Sequence, residues 1–393
     1  MARKSNTRAA QGSGTIRQRK DGRWEARYTV GRDPGTGKQI QRSVYGATQQ
    51  EVRKKLAQVT TALDCGDYFQ PSKMTLARWV ELWLQEYTSD KKYLTVKHYT
   101  AQCKTHIVPS LGAVKLAELT APQIQAFYNG LLRDGMAPKS VRNIHGILTK
   151  CLSTAVSVEY IRDNPASRVT LPRVEKKEIH PLTDEQVKDF LRVSAGDEYE
   201  ILLKVILFTG LRESEAIGLT WDCVDFKAGT VKVCKQLQKR PLSDGGFTFA
   251  PLKNDKTRTL RPAPFVLELL ERRKREQAEQ RLKAGELWVG WQTTDQQKSA
   301  LVFTTATGSN LSPQTVYNHY KKLASQIGAP DSRVHDLRHT FAVLSLQNGD
   351  DVKTVQGNLG HATAAFTLDV YGHVSERMKE DSAARMQEYI SNL

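Results

Sequence analysis

The chain has 393 residues, 39% of them hydrophobic and 25% charged, so it is too long for one compact domain and too apolar for a wholly disordered one. Its formal net charge of +16 at pH 7 favours a polyanionic partner, above all nucleic acid, whose condensed counterions are released as phosphates are neutralised. The absence of a long apolar run, the polar start Met1-Ala2-Arg3-Lys4-Ser5 and five scattered cysteines with no C-x-x-C pair predict a cytoplasmic protein with no membrane partner and no structural zinc.

Residues 1–65 are the most basic stretch, with 14 Lys and Arg against five Asp and Glu. After a Ser/Gly-rich start, strands are predicted at Thr15-Ile16-Arg17, from Trp24 to Val30 and from Gln39 to Val44. Asp21-Gly22 and Asp33-Pro34-Gly35-Thr36-Gly37 supply the turns, and a helix is predicted from Thr48 to Leu63. Alternation puts Trp24, Ala26, Tyr28 and Val30 on one face and Glu25, Arg27 and Thr29 on the other. Arg17, Arg19, Lys20, Arg23 and Arg27 are candidate DNA contacts, because the positive charge is concentrated here.

Residues 72–165 are predicted to be all-helical. An apolar stripe of Leu76, Val80, Leu82, Trp83 and Tyr87 opens the segment. Further helices are predicted near 95–107, 122–132 and 140–158, with Pro109 and Gly112 punctuating the connections. Lys97, Lys104, Lys139 and Arg142 are candidate phosphate contacts, and the basic stretch from Arg168 to His180 reads as an exposed linker.

The remainder, 182–393, is mixed and mostly helical. Thr183-x-x-Gln186 has the form of a capping box, and the apolar run from Ile201 to Phe208 leads into Thr209-Gly210-Leu211-Arg212. Short strands are predicted around 224–233, 247–252 and 258–260, then a charged helix from Pro264 to about Lys283. The densest chemical signal is His335-Asp336-Leu337-Arg338-His339-Thr340-Phe341-Ala342. On a helix His335 and Arg338 share a face, setting a permanent cation beside an imidazole that exchanges protons. Leu359-Gly360-His361 follows, and Tyr371 lies ten residues after that histidine.

Taken singly, each of these groups is more often a packing or salt-bridging residue than a chemical one. Together and in order, T-G-L-R-x-S-E, H-x-L-R-H-T-x-A, L-G-H and T-x-x-x-Y-x-H span 182–393, and there the sequence resembles the tyrosine site-specific recombinases, the phage-lambda-type integrase family. The resemblance implies a catalytic set of Arg212, Lys253, His335, Arg338, His361 and Tyr371, supported by Glu215. Lys253 occupies a hairpin segment in which Lys256 is its rival. It also implies a multidomain α+β architecture. A three-stranded sheet with a helix (1–68) resembles the arm-binding domain of conjugative-transposon integrases, on the run from Gly12 to Arg27. A helical core-binding domain (72–165) and a mostly helical catalytic domain with a small sheet (175–393) would clamp duplex DNA.

The chemistry implied is cutting and rejoining of DNA. A tyrosine hydroxyl with a pKa near ~10 needs a base to attack phosphorus at neutral pH, and arginines suit the equatorial oxygens of the transition state. His335 is the expected base, His361 a hydrogen-bond donor to phosphate, and Lys253 the acid for the leaving 5′ oxygen. No cofactor, metal or ATP is expected, since the tyrosyl ester conserves the bond energy. Expected partners are double-stranded DNA at element ends, arm and core sites, a homotetramer of this chain on that DNA, and DNA-bending or excision accessory proteins. The expected location is the bacterial cytoplasm, on the nucleoid when bound. The competing readings are a type IB topoisomerase with the same chemistry and a DNA-binding regulator without catalysis. After Tyr371, the tail with Met378, Met386, Tyr389 and Ile390 reads as an amphipathic helix that packs either on a neighbouring copy or on its own domain.

Overall fold

In the computed structural model, residues 15–32, 35–64, 73–175, 180–252, 256–360 and 376–392 are described. The chain divides into two compact units, Met1–Lys176 and Lys177–Leu393.

The first unit begins with an antiparallel meander of β1 (Thr15–Gln18), β2 (Trp24–Arg32) and β3 (Gln39–Gly46), with β2 in the centre. Gly22 makes the first turn with φ of 81°, a conformation that a residue without Cβ adopts at no steric cost. Helix α1 (Gln49–Asp64) starts on a side-chain cap, with Thr48 Oγ1 accepting from the Glu51 N–H at 3.2 Å and the Glu51 carboxylate reaching back to accept from the Ala47 N–H at 2.9 Å. Ala26 and Tyr28 bury against Val52 and Leu56, with Trp24 and Val30 packed beside them, as the alternation of β2 requires.

A separate helical core follows, formed by α2 (Leu76–Glu86), α3 (Tyr93–Gln102), α4 (Val108–Leu111), α5 (Ala121–Arg133) and α6 (Pro138–Ser157). One π-helical turn, Cys103–Ile107, joins α3 to α4 immediately before Pro109, which has no N–H to donate. The buried stripe of α2 is Leu76, Trp79, Val80 and Trp83. This corrects the predicted stripe: Leu82 is half-buried and Tyr87 exposed, while Trp79 lies in the core. The two indoles face α6, where Trp79 Nε1 donates to the Cys151 carbonyl (3.1 Å) and Trp83 Nε1 to Thr154 Oγ1 (3.1 Å). Each buried ring thereby keeps a partner for its one polar atom.

The second unit is built around α8 (Glu200–Thr209), preceded by α7 (Asp184–Val193) on the expected capping box, with Gln186 N–H donating to Thr183 Oγ1 at 3.2 Å. Nine of the ten residues of α8 are buried, and its two charged members, Glu200 and Lys204, pair with each other at 2.6 Å. The short α9 (Glu213–Ala216) leads to β4 (Val224–Asp225), β5 (Thr230–Val233), β6 (Lys235–Lys239), β7 (Phe247–Pro251) and β8 (Arg258–Leu260). Strands β4, β5 and β8 form one antiparallel sheet, and β6 and β7 a separate hairpin. The strand predicted over 224–233 is therefore two, turned at Gly229, and β6 has no predicted counterpart. Its sequence, Lys-Gln-Leu-Gln-Lys, buries only Leu237 and so carries almost no hydrophobic signal. Helices α10 (Pro264–Ala284), α11 (Thr294–Lys298), α12 (Pro313–Gln326), α13 (Val334–Gln347), α14 (Val352–Leu359) and α15 (Glu376–Ser391) complete the unit. Among the described residues no helix is long and apolar enough to cross a membrane. The fold is mixed, with a small N-terminal three-stranded sheet and mostly helical structure beyond it, as the sequence predicts.

Candidate active site

Arg212 stands at the N-terminus of α9, in the extended conformation of a cap. Glu215, one turn on, folds back to it: its carboxylate accepts from the Arg212 N–H at 3.0 Å and from Arg212 Nη1 at 2.7 Å. A second guanidinium, that of Arg258 on β8, donates to both Glu215 oxygens at 2.7 and 3.2 Å. Burial alone would push the Glu215 carboxyl up. The hydrogen bond and charge of Arg258, then the N–H and charge of Arg212, outweigh that and hold it down at about 2. Glu215 is thus a permanently charged, buried clamp between two arginines.

Arg338 projects from α13 and is 1% exposed. Its Nη1 donates to the Gly210 carbonyl and its Nη2 to the Leu359 carbonyl, each at 2.6 Å. Both acceptors are at helix C-termini, which carry partial negative charge. Gly210 ends α8 with φ of 64°, and a Cβ there would lie 2.5 Å from the Phe341 ring and 2.7 Å from Leu359, so this turn admits only glycine. The same guanidinium thus ties the end of α8, two residues before Arg212, to the end of α14, two residues before His361.

His335 lies one turn before Arg338, on the exposed side of α13. Partial desolvation, then the positive charges of Arg338, Arg212 and Arg333, lower its pKa below the ordinary imidazole value, against an opposing pull from Asp336. Its ring meets that of His339 edge to face at 4.8 Å, and burial and the neighbouring His335 bring His339 down to about 4. Asp336 caps the helix, accepting from the Arg333 N–H at 2.8 Å. Thr340 is fully buried and accepts the Leu182 N–H at 2.9 Å, anchoring the entry to α7. The arrangement offers two arginines and a neutral imidazole, a set suited to an oxyanion and a proton transfer.

Residues 175–378 match the model of the phage integrase family, and residues 75–132 match that of the phage integrase N-terminal SAM-like domain. The chain belongs to the phage integrase family. It is similar to a XerC-like tyrosine recombinase of Caldanaerobacter subterraneus subsp. tengcongensis, 26% identical over 375 residues that cover 92% of this chain and 94% of the relative. It is also similar to the ICEBs1 integrase of Bacillus subtilis, 23% identical over 383 residues, 96% of this chain and 100% of the relative. Among solved structures, the Tn1549 transposon integrase in complex with circular intermediate DNA shares the fold. The TM-score is 0.66 at 19% identity, covering 80% of this chain and 99% of that one. A lambda integrase tetramer bound to a Holliday junction gives a TM-score of 0.56 at 19% identity, over 92% of this chain and 96% of that one. This integrase-family chain is an enzyme of the tyrosine recombinase type.

Of the expected catalytic residues in the integrase-family chain, Arg212, His335 and Arg338 fall among the described residues with their support Glu215. Lys253, His361, Tyr371 and His373 lie outside them. Lys256 is exposed, two residues before β8. On the N-terminal sheet, Arg17 and Arg27 flank Glu25, which accepts from them at 2.7 and 3.3 Å and from Ser43 Oγ at 2.8 Å. The Ser43 hydroxyl and the Arg17 guanidinium bring the Glu25 carboxyl down to about 2. Arg23 pairs with Asp21 at 2.9 Å, and Arg19 lies 5.5 Å over the Tyr45 ring. Lys20, Lys97 and Lys139 are exposed, as is Lys104, and Arg142 donates to the Pro172 carbonyl at 2.9 Å. Sequence reasoning missed two organising residues, Glu25 and Arg258. Each is one charged residue among many: the pairing of neighbouring strands sets Arg17 and Ser43 beside Glu25, and partners 43 and 100 residues away define Arg258.

Proposed function

We propose that this chain carries out site-specific recombination for a mobile element through a covalent 3′-phosphotyrosyl intermediate. The observation that carries the reading is that Arg338, one turn after His335 on α13, donates to the Gly210 carbonyl at 2.6 Å, two residues before Arg212, which brings the three side-chain positions to one site. Tyr371 Oη attacks the scissile phosphorus, the bond from phosphorus to the 5′ oxygen breaks, and DNA is left joined through its 3′ phosphate. His335, neutral at pH 7, takes the tyrosine proton. Arg212 and Arg338 donate to the non-bridging oxygens, and His361 adds a further donor. Lys253 protonates the departing 5′ oxygen. The reverse reaction on a different 5′ hydroxyl joins the exchanged strand, and no ATP is needed because one phosphoester replaces another.

Conjugative elements are the expected setting, in line with the relatives named ICEBs1 integrase and Tn1549 transposon integrase. The sheet of residues 15–46 is the arm-site reader, the helices of 76–157 are the core-site reader, and four copies of the chain assemble on the crossover DNA. Two DNA-reading modules would bridge distant sites, which a topoisomerase does not require. Incubating wild-type protein and Tyr371→Phe with nicked duplexes carrying the element ends, in excess EDTA, tests the mechanism. A covalent adduct on a denaturing gel that vanishes in the Phe variant is expected. An adduct that persists in that variant, or one that requires added metal, would overturn it.

A further inference from the structure

Arg258 performs none of these chemical steps, yet it touches three parts of the site. Its Nη2 and Nη1 donate to Glu215 at 2.7 and 3.2 Å, and its Nε donates to the Asn358 carbonyl at 2.8 Å. Its guanidinium also lies against Gly360, where a Cβ would be 3.1 Å from Nη1. The side chain is 10% exposed, so it is not placed to meet DNA. Glu215 grips Arg212, and Leu359, the neighbour of Asn358, supplies the carbonyl that holds Arg338.

We propose that Arg258 is a positioning residue for strand cleavage: it locks the Arg212–Glu215 clamp to the end of α14, so that Arg212 and Arg338 keep one fixed spacing across the scissile phosphate. The proposal rests on the reading that these two arginines bind that phosphate. Only a planar fork serves, because its N–H groups point in three fixed directions at Glu215 and Asn358, whereas an ammonium offers a point charge. The cationic groups facing Glu215 are Arg212, from its own helix, and Arg258, from β8. Without Arg258 the buried carboxyl loses the stronger of the two, so burial raises its pKa and its protonated fraction lets go of Arg212. Raising the pH restores the carboxylate and with it the grip on Arg212.

The test is single-turnover formation of the covalent complex by the full chain on nicked element-end duplexes, from pH 6 to 9. Wild type, Arg258→Met, Arg258→Lys, Arg258→Met/Glu215→Gln and Tyr371→Phe are compared, with DNA affinity and thermal midpoint measured for each. The Met variant is expected to bind DNA normally and to cleave about 100-fold more slowly at pH 7, the scale of losing an oriented oxyanion donor. It should recover roughly tenfold by pH 9, a rise absent from wild type and from the Glu215→Gln double variant. If the Met variant does not fold, Arg258→Lys replaces it, with cleavage about tenfold slower expected because charge alone does not supply the fork. A Met variant with wild-type cleavage, a loss equal at every pH, or full activity in the Lys variant would overturn the role of Arg258 alone. A wild type that binds but forms no Tyr371-dependent adduct would overturn the cleavage mechanism and the Arg258 role together.

Discussion

At the scale of single residues, the site depends on charges that burial would extinguish if they were not paired. Glu215 lies at about 2 against an ordinary 4.5, and it is 2% exposed, so its ionised form contributes about 3 kcal/mol to folding at neutral pH. A depressed carboxylate contributes stability above its unfolded pKa and loses it as pH falls through the folded value. Glu215→Gln should therefore unfold at lower denaturant than wild type at pH 7, and that gap should shrink as pH falls from 4.5 toward 2. A gap independent of pH would mean that the carboxylate is not the stabilising form. The lowered pKa of His335 has a kinetic counterpart. The base form of a group with a depressed pKa survives to lower pH, so the acid limb of the second-order cleavage rate should fall below the ~6.5 of a free imidazole. His335→Gln should lose that limb along with most of the rate; an unchanged limb would assign it to another group. Arg212, Glu215, His335 and Arg338 could be nominated from the sequence as candidates because short motifs hold them at fixed spacing. Arg258 was not, since its partners Glu215 and Asn358 are 43 and 100 residues away.

Among the elements, those with strong periodicity were legible and those defined by pairing were not. The alternation of β2 predicted its buried face, and the largely apolar run of α8, broken by Lys204, predicted burial. The polar strand β6 exists because its backbone pairs with β7 and because Gly218 lets Leu237 approach, where a Cβ would meet the Leu237 nitrogen at 2.5 Å. Trp79 was missed because a stripe drawn through Leu82 and Tyr87 follows the wrong edge of α2. Helix ends matter most to the chemistry, for Arg338 binds the carbonyls that close α8 and α14. Gly210→Ala should strain that junction twice, through its positive φ, worth ~1–2 kcal/mol, and through contact with Phe341 and Leu359. Displacing the Gly210 carbonyl moves Arg338, so cleavage should fall at least about tenfold more than DNA binding does, equivalent to about 1.4 kcal/mol of barrier. Equal losses in both would point to simple unfolding.

On the scale of the whole molecule, the charge of +16 does not act as a diffuse cloud. On the N-terminal sheet Glu25 holds Arg17 and Arg27 in place, sacrificing one positive charge for fixed geometry. On the arm-site role proposed for this sheet, Glu25→Gln should raise affinity for random DNA while narrowing the preference for the arm site, as measured by competition at fixed salt, because phosphate contacts position and oriented side chains discriminate. At the other end of the chain, Met386, Tyr389 and Ile390 share one face of α15 at helical spacing, and all three are more than half exposed. A wet apolar stripe of that kind fits a groove on another copy better than a solvated tail. Tyr389→Asp and deletion of 376–393 should both leave cleavage at an isolated core site within about threefold of wild type, a change under ~1 kcal/mol, while abolishing the slow-migrating complex of paired sites on a native gel. Point variant and deletion make different demands. The deletion removes length and several charges as well as the stripe, whereas Tyr389→Asp keeps the length and sets a single charge in the apolar face, so matching defects would assign assembly to that face. Synapsis that survives both changes would leave the tail without a part in assembly.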